Sequence, residues 1–206
     1  EAQKTALEKL KTISYRHQLE IEQVISFFAL SIHQHNSVDD TLWDVAKNLI
    51  GKLGFEDCMI YLWNDDKTIL LQKAGYGVKG SMQTETDKDR YNINKGKGIV
   101  GATVESRQVM LVNDTSADKR YFTADDKIRL SEFCVPIIHH DEVMGAINTD
   151  HTEKGFYTDR HLQILTTFTS MLADRIDKLD AEQQAREKEI EVLKLNGELA
   201  NSQLTA

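Results

Sequence analysis

Two glycine patterns are the first candidates for chemistry. Gly96-x-Gly98-x-x-Gly101 and Gly75-x-Gly77-x-x-Gly80 both fit the dinucleotide fingerprint, in which glycines follow a buried parallel strand and open a helix that holds a pyrophosphate. The second pattern in that pair follows a strand-like run, Ile69 to Ala74, but leads into the polar, non-periodic stretch Ser81 to Arg90. The other opens a short helix-like segment, yet polar Asn92 to Lys95 precede it where a buried strand belongs. These glycines therefore read as tight backbone turns. His139-His140-Asp141-Glu142 has the residue types of a metal site. Successive strand residues point to opposite faces and do not chelate together, so the run reads as a polar hairpin turn. His33 and His35 diverge on a helix, and His17 lacks the acidic neighbour of a phosphoacceptor histidine. Cys58 and Cys134 sit in apolar runs with no local base and read as small core hydrophobes. No nucleophile elbow, P-loop or zincin motif occurs in the sequence.

Composition narrows the classes further. The chain has 206 residues, 40% of them hydrophobic, and a net charge of −8. That suffices for one core with additional helix, and it excludes nucleic-acid binding through a broad basic face. Two cysteines make no disulfide framework, which favours a reducing, cytoplasmic compartment. The longest nearly apolar run, Val24 to Ile32, falls well short of the ~18 residues that cross a membrane. The chain opens on Glu1 without a signal-peptide pattern. The expectation is a piece of a longer protein, whose membrane anchor, if any, lies elsewhere.

Three zones must position these residues. Residues 1–36 lack Gly and Pro and read as one helix, with Leu7, Leu10, Ser14, His17, Ile21, Val24 and Phe28 on one seam. Residues 37–178 form the globular body. Ser37-x-x-Asp40 is a capping box, Leu42, Val45, Ala46, Leu49, Ile50 and Leu53 repeat at helical spacing, and Gly54 is placed to end that helix. Cys58 to Trp63 and Thr68 to Ala74 form a hairpin about Asn64-Asp65-Asp66, and Gln108 to Asn113 is a strand. Phe133 to His139 and Val143 to Asn148 form a second hairpin, where Pro136 belongs at an edge or bulge. A final helix starts near Thr158. From 179 to 206 it continues as a coiled-coil linker through Leu179, Gln183, Arg186, Ile190, Leu193, Gly197, Ala200 and Leu204. Helical seams at both ends predict a parallel homodimer through residues 1–36 and 172–206.

The segment Tyr91 to Arg107, followed by Gln108 to Asp114, resembles the core motif of GAF domains, small sensing modules of signalling proteins. Leu111-Val-Asn-Asp114 resembles the family's strand and polar loop. Val135-Pro-Ile137 resembles its strand-start proline, and Val143-Met-Gly-Ala-Ile147 its last central strand. Phe156-Tyr-Thr-Asp159 resembles the entry to its final helix. The resemblance covers about 140 residues and implies an α+β fold: a six-stranded antiparallel sheet with helices on one face and a ligand pocket on the other. The cyclic-nucleotide class is not matched: Thr149 follows Asn148, only two residues separate Phe156 from Asp159, and Arg160 stands where a glutamate is expected. Bilin needs an accessible cysteine and haem an axial histidine in the pocket, and neither is evident. Free-methionine-sulfoxide reductases share the fold but use loop cysteines, and Tyr76 to Lys97 contains none. From Leu193 to Ala206 the chain resembles the linker into the phosphoacceptor region of bacterial autolysin-regulator-type sensor histidine kinases.

The resemblance implies a non-catalytic sensory module of a two-component kinase, with the kinase domain downstream in the same chain. No cofactor is identified beyond an unknown small molecule. The implied pocket wall is Tyr61, Trp63, Ile99, Val100, Asn113, Asp114, Phe133, Val135 and Asn148, with Tyr76 to Lys97 as its cover. The alternatives are a ligand-free dimerisation spacer, a cyclic-nucleotide domain and a small redox enzyme.

Overall fold

Capping residues mark out the helices. A computed structural model of the chain describes residues 2–77, 92–122 and 128–204. Helix α1 spans Ala2–Ser31 and α2 spans Val38–Leu53. Ser37 caps α2 by accepting from Asp40 N at 3.1 Å, and Gly54 ends it in the left-handed region, donating to Ile50 O. The sheet follows: β1 Asp57–Trp63, β2 Ile69–Gly77 and the two-residue β3 Ile93–Asn94, then helix α3 Gly98–Ser106 and strand β4 Met110–Val112. Strands β5 Ser131–His139 and β6 Glu142–His151 form a hairpin, and α4 runs from Asp159 to Leu204. The order is β3-β2-β1-β6-β5-β4, and every pairing is antiparallel.

This is the α+β arrangement that the resemblance implied. The β5–β6 turn lies at His140-Asp141, both in the left-handed region (φ 45° and 63°), as a two-residue turn matched to strand twist requires. Pro136 pairs with Ala146 on one side, while β4 ends opposite Cys134, so the proline sits where β5 is an outer edge. One short helix differs from the plan of helices on a single face. Helices α1, α2 and α4 share the main core with one side of the sheet, while α3 packs on the other.

The main core joins Phe28 of α1, Leu42, Val45 and Leu49 of α2, and Ile164, Leu165, Phe168, Leu172 and Ile176 of α4, all fully buried. Phe28 and Phe168 meet at 4.7 Å between ring centroids, and burying each such side chain contributes about 2–3 kcal/mol. The helical seams therefore divide. Ile21 and Phe28, and Leu172, Ile176 and Leu179, are buried within the chain. Residues 8–20 of α1 and 181–198 of α4 are exposed throughout. Arg175 ties the helices together, its guanidinium donating to Ile32 O at 3.1 Å and His35 O at 2.6 Å.

Candidate ligand site

Strand alternation sorts the sheet residues onto two faces. Cys58, Ile60, Phe133, Val135, Ile137 and Ile147 pack into the main core. Met59, Tyr61, Leu70, Cys134 and Ala146 face the other way, where Ile93 and α3's Ile99, Val100 and Val104 close a second apolar cluster. Asp57, Glu132, Asn148 and Asp150 fall on that second face by period two, and all are buried.

Three rows cross this face. Met59, Asn148 and Cys134 are consecutive cross-strand neighbours on β1, β6 and β5. Tyr61, Ala146 and Pro136 form the next row toward the β5–β6 turn. On the other side lie Asp57, Asp150 and Glu132. Asp150 N donates to Asp57 Oδ1 at 3.0 Å, Glu132 pairs with Asp150, and Arg129 Nε lies 3.1 Å from Asp57 Oδ2. This ion pair is almost completely buried, and the bond from Asp150 N helps to satisfy the carboxylate.

A bulge brings a further polar group over. Ile60 pairs with Ala74 but Tyr61 with Gln72, leaving Lys73 extra on β2. Gln72 and Gly75, three apart, consequently share the second face. Gln72 Nε2 donates to Met59 Sδ at 3.2 Å.

The implied wall residues separate accordingly. Tyr61, Ile99, Val100 and Asn148 come together, with Trp63 half-buried at the rim. Phe133 and Val135 lie on the opposite face in the main core, Phe133 with its ring 5.3 Å from Tyr157. Asn113 and Asp114 lie beyond β4, the first exposed and the second half-buried. Asn113 O accepts from Gly155 N at 3.0 Å. Asp114 caps the 3-10 turn Thr115–Ala117 and bonds Lys154 at 2.6 Å. Those bonds, with Lys154 first and Ser116 next, hold the Asp114 carboxyl below its usual range. Both residues fasten the β6–α4 connection. Met59, Glu132 and Asp150 join the face unforeseen, although a step of two from Tyr61 or Asn148 reaches the first and last.

The other chemical candidates resolve as well. Gly96 and Gly98 take left-handed φ of 73°, and a Cβ at Gly101 would lie 2.6 Å from the Gly96 carbonyl carbon. They are turn and close-approach glycines beside a short antiparallel edge strand, a setting that lacks the parallel strand of a dinucleotide site. Gly80 and residues 78–91 of the expected cover lie outside the described residues. His139 turns toward α4, 3.5 Å from Asp174, and no metal-holding cluster occurs among the described residues. Cys58 and Cys134 are buried on opposite faces, and burial pushes both thiols well up, so neither has thiolate character. An open groove of about 360 Å³ at the far rim, lined by Trp63, Lys67, Lys95, Glu105, Arg107 and Glu142, carries both charge signs and selects neither. No helix of the described residues is long and apolar enough to cross a membrane.

Comparison with known proteins agrees with this geometry. The chain is 26% identical over 80 residues to the Nif-specific regulatory protein of Enterobacter agglomerans, a match covering 39% of this chain and 14% of that one. The chain thus spans about a seventh of that curated relative. Among solved structures, the GAF domain of a phosphoenolpyruvate-protein phosphotransferase from Coxiella burnetii superposes with a TM-score of 0.72 at 15% identity, covering 81% of this chain and 98% of that one. The free methionine-R-sulfoxide reductase of Neisseria meningitidis gives 0.67 at 18% identity, covering 80% and 91%. The family model described as GAF domain matches residues 35–177, most of the chain and all of the sheet, and the chain belongs to the GAF domain family.

Proposed function

We propose that this chain is the sensory module of a longer bacterial signalling protein. A small molecule held on the second face of the sheet biases the position of α4, and a parallel homodimer of the terminal helices relays the change to an output domain. One observation carries this reading: α4 is a continuous helix from Asp159 to Leu204. Its first part is locked into the core through Ile164, Phe168 and Ile176, and residues 181–198 are wholly exposed. A displacement at its base travels as a rigid lever. An isolated helical extension of this kind is marginal in water, and a second copy supplies the missing partner for Ile190 and Leu193, each more than half exposed. The ligand acts through its differential affinity for two positions of the lever.

We assign the output to a histidine kinase on the C-terminal resemblance. The match to a Nif-specific regulatory protein favours a second reading, in which the output domain is that of another kind of regulator. A sulfoxide reductase activity is disfavoured by two buried thiols on opposite faces, which cannot exchange a disulfide across the sheet.

Amide hydrogen exchange tests the sensory reading. Chain purified gently from cells is compared with chain stripped by unfolding, dialysis and refolding. The reading expects slower exchange in β1 and β6 of the gently purified sample, together with altered exchange along 181–198. Identical exchange in both regions contradicts it and leaves a ligand-free spacer.

A further inference from the structure

Two buried side-chain carbonyls on the second face stand without a donor among the described residues. Gln72 and Asn148 are each only 4% exposed. Neither Gln72 Oε1 nor Asn148 Oδ1 has a hydrogen-bond partner among the described residues. Buried carbonyls are nearly always satisfied, and one left without a donor destabilises the fold that contains it.

Both amides flank a single side chain. Asn148 is the direct cross-strand neighbour of Met59, and Gln72 reaches Met59 from the other side through its 3.2 Å bond to Sδ. That bond orients Gln72: a flipped amide would set its oxygen against a sulfur with no hydrogen to give. The carbonyl is therefore the group left to display. Its position is built by the bulge that turns Gln72 onto this face and by the bare backbone of Gly75. A Cβ at Gly75 would lie 2.3 Å from Gln72 Nε2 and 2.7 Å from Met59 Sδ. The neighbouring Thr103 hydroxyl is already committed, donating to Ile99 O at 2.9 Å. The adjoining row carries Glu132 and Asp150 beside the Asp57–Arg129 ion pair.

We infer that the ligand of this face carries nitrogen-bound hydrogens, as a primary ammonium or guanidinium group, donated to Gln72 Oε1 and Asn148 Oδ1 over the Met59 thioether. A molecule that offers only carboxylate, keto or phosphate oxygens leaves the Gln72 carbonyl without a donor and binds more weakly. The inference rests on the sensory reading and specifies the chemistry of its ligand.

Calorimetric titration of the stripped, refolded chain tests it. The probes are the common L-amino acids, their decarboxylated amines and methylguanidine, set against the matching 2-oxo acids and inorganic phosphate. The expected result is a binder among the N–H-bearing probes, at least about tenfold tighter than its oxygen-only counterpart. Asn148→Leu and Gln72→Met should each weaken it about tenfold or more. The unliganded variants should keep or raise their melting temperature, because an unsatisfied acceptor has been removed. Tighter binding of a 2-oxo acid or of phosphate overturns the inferred chemistry while leaving the sensory reading intact. Unchanged amine affinity in both variants, or no binding by any N–H probe, also overturns it. The sensory reading fails separately, through the exchange experiment.

Discussion

Burial raises the thiol pKa of Cys58, with the Asp57 carboxylate adding to it, and that of Cys134, with Glu132 and Asp150 adding. A thiol-specific reagent at pH 8 should therefore modify neither cysteine in the native chain and both in guanidinium. Labelling of native chain at the rate of a free thiol would restore the redox reading. His161 gives a pH signature. Burial, then the neighbouring Arg160 charge, holds it below the ordinary histidine value, and its neutral Nδ1 accepts from Thr158 N at 3.1 Å. The folded state resists a proton that the unfolded chain takes near pH ~6.5. Its contribution is complete above that value and is lost as pH falls toward the lower, folded pKa. Melting temperature should drop between pH 7.5 and 5.5 more steeply in the native sequence than in His161→Gln; parallel curves would exclude His161 as the cause. At this scale the candidate face was half legible. Tyr61, Ile99, Val100 and Asn148, implied as wall residues by the family resemblance, do fall on one face. Phe133 and Val135 do not, because a continuously apolar strand such as β5 hides which parity faces the larger core. Gln72 was hidden by a bulge that no residue type announces.

Among the elements, caps and turns were the most legible, because Ser37, Gly54 and the His140-Asp141 turn act locally and need no knowledge of the tertiary fold. The division of the helical seams was not, since an apolar seam facing α4 of the same chain reads the same as one facing a second copy. Besides its core packing, α4 is tied to the end of α1 by polar contacts. Arg175 binds the carbonyls of Ile32 and His35, and such charge-assisted bonds contribute about 2 kcal/mol. Arg175→Leu should lower unfolding stability by about that amount and speed hydrogen exchange in α1; a loss of stability without faster exchange would mean that Arg175 does not tether α1. Gly145 lets β6 lie against β1, since a Cβ there would sit 1.9 Å from the Tyr61 carbonyl oxygen. Gly145→Ala should cost on the order of 3 kcal/mol, measured by urea unfolding, and a stable variant would show that β1 can shift to accept it.

At the scale of the whole molecule, residues 8–20 of α1 and 181–198 of α4 are exposed, and the proposed dimer joins two copies along them. Light scattering should find a dimer, weakened by Ile190→Glu because a charge in an apolar seam loses its hydration unpaired. A monomer at all accessible concentrations would remove the relay. Gln183 and Arg186 lie on the exposed seam of α4, and polar seam positions lower coiled-coil stability. Changing both to Leu should tighten the dimer and lock the output of the full-length protein; a response of normal amplitude would contradict a two-state lever. The central claim, a dimeric sensor holding a small molecule on the second face of its sheet, is tested most directly by native mass spectrometry of gently purified chain. The account predicts a dimer carrying one additional small mass per protomer, released on denaturation and missing from Asn148→Leu. A dimer or monomer at the bare polypeptide mass, identical in both proteins, would contradict it.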